Sequence, residues 1–99
     1  MMNEIKLGIF NIQDSLYNNQ NLVARKFCKN NICVLGFKSK RLIIINGVKY
    51  KNAIGVAIDA NKKEIEVNYS INNTIKIPYG DINYVSIYKE GSDIVVTVK

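Results

Sequence analysis

Eight cationic side chains crowd one stretch of this chain: Arg25, Lys26, Lys29, Lys38, Lys40, Arg41, Lys49 and Lys51. Basic residues interleaved with aromatics suit phosphate contact combined with base stacking, and Phe37 and Tyr50 lie among them. The first 51 residues hold nine Lys/Arg against two Asp/Glu, a net of +7. The remaining 48 hold five against six, a net of −1. Such an asymmetry concerns partners more than fold, because a positive face attracts phosphates. It reads equally as a solvated, solubilising surface. Lysine outnumbers arginine twelve to two, which disfavours bidentate recognition of phosphate or guanine.

Other chemistry is sparse. The chain has no histidine, so serine–histidine and cysteine–histidine nucleophile pairs cannot form within it. Glu64 and Glu66 lie two apart, the spacing of one strand face. Paired carboxylates can bind a divalent ion or act as acid and base. An exposed polar face opposite Ile65 and Val67 is the favoured reading. The six glycines are scattered singly and make no phosphate loop or dinucleotide fingerprint. Cys28 and Cys33 are the only cysteines, too few for a disulfide framework. Five residues apart, they are open to a bridge, but small unbridged core residues are the preferred reading. Without histidine, two thiolates cannot complete a tetrahedral zinc site. No metal, cofactor or catalytic set is therefore expected, and the chain reads as a non-enzyme.

These residues must be carried by strands. Apolar residues alternate in five runs of the second half: Ile54/Val56/Ile58, Ile65/Val67/Tyr69, Ile75/Ile77/Tyr79, Val85/Ile87 and Ile94/Val96/Val98. Period two with one apolar face marks half-buried strands, and spacing near ten residues predicts an antiparallel meander. Turns fix the registers. A turn at Asn61-Lys62 sets Ile58 opposite Ile65. A turn at Glu90-Gly91 sets Ile87 opposite Ile94, and a loop of residues 71–73 sets Tyr69 opposite Ile75. Asn46-Gly47 is a strong hairpin signal, pairing Ile45 with Val48 and Ile43 with Tyr50. The other face of that hairpin carries Leu42 and Ile44 among lysines, a candidate interface together with Tyr50. Residues 32–38 read as a further strand, joined to Arg41 onward by a basic turn, Lys38-Ser39-Lys40. Ile5/Leu7/Ile9 suit a first strand. A short helix is expected within residues 14–29, capped by Asp14 or Ser15, with Leu16, Val23 and Phe27 on one stripe.

The fold expectation is mainly β: one domain over residues 1–99, about seven or eight antiparallel strands in a small barrel or sandwich, and one short helix near the N-terminus. Lys40-Arg41-Leu42-Ile43-Ile44-Ile45 resembles the strand that opens a hairpin in bacterial pleckstrin-homology-like domains. Residues 77–85, Ile-Pro-Tyr-Gly-Asp-Ile-Asn-Tyr-Val, are similar to an "I-P-Y-x-D-I-x-x-V" segment of those domains. The likeness covers about residues 32–98 and implies a strongly bent antiparallel sheet used as a binding scaffold without catalysis. SH3-like and Sm-like barrels fit the same strand pattern.

The expected function is a non-enzymatic interaction module acting through a curved sheet, with a protein partner or homo-oligomer. The alternative is a binder of a phosphate-bearing ligand, nucleic acid or nucleotide, through the basic half. Abundant Asn, Ile and Lys suggest AT-rich coding, as in some low-GC bacteria and their phages, and a small basic non-enzyme suits a phage or mobile-element inhibitor. No apolar run approaches a membrane span; the longest, residues 42–45, has four. The first six residues lack a secretory pattern, so a cytoplasmic protein is expected.

Overall fold

The structure, a computed structural model, describes residues 3–99. Met1 and Met2, the start of the stretch read above for a secretory pattern, lie outside the described residues. The strands are β1 (Glu4–Leu7), β2 (Phe10–Gln13), β3 (Val23–Cys28), β4 (Ile32–Ile45), β5 (Val48–Asp59), β6 (Glu64–Ser70), β7 (Asn73–Pro78), β8 (Val85–Glu90) and β9 (Asp93–Val98), with one helix, α1 (Asp14–Tyr17). The chain is mainly β, with its one short helix near the N-terminus. No helix among the described residues is long and apolar enough to cross a membrane.

All nine strands belong to one sheet, ordered β1-β2-β8-β9-β4-β5-β6-β7, with β3 added to β4. It is mixed: β2 runs parallel to β8, and β4 parallel to β9. A purely antiparallel meander therefore describes only part of it. The sheet does not close into a barrel either, because β1 and β7 end the path without pairing to each other.

Two long strands fold the sheet over its own core. Residues 32–36 of β4 pair with residues 55–59 of β5 and with β3. Residues 43–45 of β4 pair with residues 48–50 of β5 and with β9. Between these stretches the register shifts twice, and Lys38, Ser39 and Lys40 stand exposed. The basic segment expected to be a turn between two strands is thus a corner within one. An irregular corner lets a strand pass from one half of a sheet to the other. The first half is β3-β4-β5-β6-β7, and the second is β5-β4-β9-β8-β2-β1. Leu35, Val56, Ile58, Ile65 and Val67 from the first meet Ile43, Ile87, Ile94 and Val96 from the second in one buried cluster. Leu16 and Leu22 join that cluster from α1 and the segment after it.

The registers follow the alternation, with two corrections. Ile58 faces Ile65 and Ile43 faces Tyr50, as the turns require. Ile87 pairs with Val96 instead of Ile94, because Glu90 pairs with Asp93 and the turn is Gly91-Ser92. Ile75 pairs with Val67 instead of Tyr69, because Ser70 meets Asn73 across a two-residue turn and an irregularity follows. Both shifts are by two residues, which leaves every side chain on its expected face. The first expected strand is also shorter: Leu7 ends β1, Gly8 takes φ +64, and Ile9 lies in the turn to β2.

Helix α1 is one turn long. The Asn18 amide donates to the Asp14 carboxylate at 2.6 Å. The Asn21 N–H donates to the Asn19 side chain at 3.0 Å. The Asn19 side chain, by taking a backbone donor, helps stop the helix there. Val23 and Phe27, expected on a helical stripe, belong to β3.

Candidate functional site

The outer surface of the first half-sheet holds a groove of about 530 Å³. Its floor follows from the register. One row across the sheet reads Arg25, Gly36, Gly55, Asn68 and Thr74; the next reads Phe27, Val34, Ala57, Glu66 and Lys76. The middle strands supply glycines, an alanine and a valine, and the flanking strands supply long side chains. Small residues between tall ones make a trough. A Cβ built on Gly55 would lie 2.9 Å from the Leu35 carbonyl oxygen, and one on Gly36 would lie 3.3 Å from the Arg25 Cβ. Backbones approach closely here, as glycines in a strand allow. Arg25 stands on one wall, and Glu66, Asn68, Ser70 and Thr74 stand on the other. Ile71, 96% exposed, sits on the rim in the β6–β7 turn. The walls on β3 and β6 are three strand spacings apart, roughly 14 Å. Among the described residues, the only salt bridge is Lys63–Asp81, so Arg25 and Glu66 are not ion-paired.

A second hollow of about 280 Å³ adjoins the first at the tip of the β3–β4 hairpin. Phe27, Lys29, Asn30, Asn31, Ile32 and Asn61 line it. Phe27 is 54% exposed. The Asn31 amide donates to the Asn61 side-chain oxygen at 3.1 Å, fixing the floor.

Cys28 and Cys33 are disulfide-bonded just behind this tip, with Cα atoms 4.0 Å apart. The preferred reading of two unbridged core cysteines is thereby corrected. The hairpin sets them directly opposite each other, and the Lys29 N–H to Ile32 carbonyl bond, 2.9 Å, closes the turn beyond them. Cys33 is nonetheless buried in the core.

The eight cationic residues are distributed over several sites. Arg25 lies on the outer face of β3, and Lys29 follows its end at the hairpin-tip hollow. Lys26 points the other way; its ammonium donates to the Tyr17 carbonyl and the Asn18 side chain at 3.0 and 2.9 Å, and lies 4.3 Å from the Tyr17 ring centroid. Lys38 and Lys40 project from the corner of β4. The Arg41 guanidinium donates to the Ser92 carbonyl at 3.2 Å, which ties the corner to the β8–β9 turn. Lys49 faces Ile44 on the second half-sheet, and Lys51 follows two residues on.

The aromatics are redistributed too. Phe37 is buried and Tyr50 packs partly against the core. Tyr50 faces inward because it pairs with fully buried Ile43, so it leaves the candidate interface to Leu42 and Ile44. Those two are half-buried on the outer face, with Val95 beside Ile44. Burial, together with the nearby Tyr50, pushes the Tyr79 hydroxyl above its ordinary pKa. The exposed aromatic that accompanies the cations is Phe27. The only signal for it in sequence is the odd-numbered alternation Arg25, Phe27, Lys29, which a helical reading hides.

No cluster of three or more His, Cys, Asp or Glu suited to a metal ion occurs among the described residues. In comparisons with known proteins, the chain matches no family model, no curated protein and no solved structure.

Proposed function

We propose that this chain is a non-enzymatic binding module whose ligand lies in the groove on the outer face of the β3–β7 half-sheet. The observation that carries this reading is the paired Gly36 and Gly55 floor beneath about 530 Å³ of open volume. That volume falls within the range of ligand sites, roughly 300–1,000 Å³. Apolar floor and a few convergent polar groups are the usual composition of such sites. The resemblance to pleckstrin-homology-like domains supports the same reading, since a bent sheet serves there as a scaffold.

The test is a variant that fills the trough. Ala57 sits at mid-floor on the open face, so Ala57→Phe occupies the groove without entering the core. Native mass spectrometry of protein purified from its own cells reads the outcome. A co-purifying ligand or protein present on the wild type and absent from Ala57→Phe supports the reading. Retention at unchanged occupancy refutes it.

The expected cytoplasmic location is tested at the same hairpin. Disulfides persist mainly where thiols are kept oxidised. Thiol counting on freshly lysed cells is expected to find Cys28 and Cys33 blocked in an oxidising compartment. A cytoplasmic protein is expected to show both free.

A further inference from the structure

We propose that the outer face of β3 and the hollow at its tip bind single-stranded nucleic acid, an inference that rests on the outer face being the binding surface. Arg25 and Phe27 share one face of β3, a strand that pairs on one side only, and Lys29, just past its end, lines the hollow beside Phe27. Arg25 borders the larger groove, and Phe27 and Lys29 border the smaller one. Arg25 and Lys29 are four residues apart, about 13 Å of extended chain. That spacing leaves room for a base on Phe27 between two phosphate contacts. Base stacking on an exposed ring flanked by cations is the sequence-tolerant mode of single-strand binding.

The charge distribution favours this track over an unspecific surface. Phe27 is more than half exposed although it is large and apolar, and it stands beside unpaired cations. Among the described residues no carboxylate lines the smaller hollow; its remaining polar groups are the amides of Asn30, Asn31 and Asn61. Glu66 lies on the opposite wall of the larger groove. Its negative charge keeps phosphates on the β3 side. Lys38 and Lys40, exposed at the corner of β4, extend the positive track beyond Arg25. An extended peptide is the competing occupant, and it would not need Phe27 and both cations together.

The probe is a short fluorescein-labelled oligothymidylate, read by anisotropy against salt. Two phosphate contacts predict a slope of log affinity against log salt of about −1.4, falling by about 0.7 in Arg25→Gln or Lys29→Gln. Phe27→Ala is expected to weaken binding about tenfold or more. Lys89→Gln, on the second half-sheet, is expected to leave it unchanged. All four positions are on the surface or partly so, and circular dichroism melting checks that each variant folds. Absence of binding at low salt overturns the proposal, as does equal loss in Lys89→Gln or indifference to all three substitutions at Arg25, Phe27 and Lys29. If the oligothymidylate fails while a mixed-charge peptide binds wild type and not Ala57→Phe, the ligand class is refuted and the groove reading stands. If Ala57→Phe alters the binding of neither probe, the groove reading falls with it.

Discussion

Single side chains carry contacts that hold strands of the sheet to turns distant in sequence. Asn46 is the clearest. Its backbone takes φ +47 in the β4–β5 turn, a conformation asparagine tolerates better than most residues. Its side chain donates to the Val98 carbonyl at 3.0 Å and accepts from the Val98 N–H at 2.7 Å. The residue that signals the hairpin in sequence therefore also clasps the last strand. Asn46→Ala removes both bonds and leaves alanine at positive φ. It is expected to lower stability by about 2–3 kcal/mol in urea unfolding. A loss below about 0.5 kcal/mol would show the clasp to be inert. Tyr79 gives a pH signature. Its folded pKa lies above the unfolded value, so the neutral form is the one the fold favours. The contribution is fully present below the unfolded pKa of about 10 and is lost as pH rises through the folded value. Stability is expected to fall above pH 10, and Tyr79→Phe is expected to flatten that fall.

At the scale of elements, β4 and β5 decide the architecture. Each is long enough to serve both half-sheets, and the corner between residues 36 and 41 lets β4 turn from one to the other. The alternation on either side of the corner is legible in sequence. Its continuity through Lys38, Ser39 and Lys40 is not, because three exposed polar residues look the same in a turn and in a bent strand. The glycine pair beside the corner is similarly ambiguous, since isolated glycines mark bulges as readily as grooves. Space decides it. Gly55→Ala puts a methyl group 2.9 Å from a backbone oxygen, so the strands must part. The expected cost is about 1–3 kcal/mol. Gly36→Ala meets only the Arg25 Cβ at 3.3 Å and is expected to cost less. Urea denaturation of the two variants checks the order, and a reversed ranking would contradict the close β4–β5 approach. A further contact joins turns distant in sequence: the Ile9 N–H donates to the Asn30 carbonyl at 3.2 Å.

The whole molecule is an open sheet folded on one core, and its edge strands are where unpaired backbone groups remain. β1 and β7 end the sheet. β7 is exposed along most of its length and carries Lys76 and Pro78, residues that discourage edge-to-edge pairing. The homo-oligomer expected from sequence is tested at this edge. Lys76→Val removes the guarding charge and is expected to shift sedimentation profiles toward dimer at high concentration. An unchanged profile would place any self-association elsewhere. The groove and the β3 track lie on the same half-sheet as β7, so a ligand on that face and a strand added at that edge would be neighbours.

Sequence alone determined the strand-rich class, the single short helix, and which face of most strands in the second half turns inward. Period-two burial is a local property, and turn chemistry at Asn46-Gly47 and around Asn61-Lys62 is local as well. A two-residue register error at Gly91 or Asn72 leaves those faces intact, so the core was legible even where the pairing was not. Tertiary structure alone decided the parallel contacts of β2 with β8 and of β4 with β9, which join residues far apart in the chain. It also decided the Cys28–Cys33 bridge, because only a strand at β3 sets the two opposite each other. The candidate site belongs to this second class. Eight cations adjacent in sequence are divided among both half-sheets and a corner. Phe27 emerges beside two of them because β3 pairs with β4, and the side chains of a paired strand must alternate between its two faces.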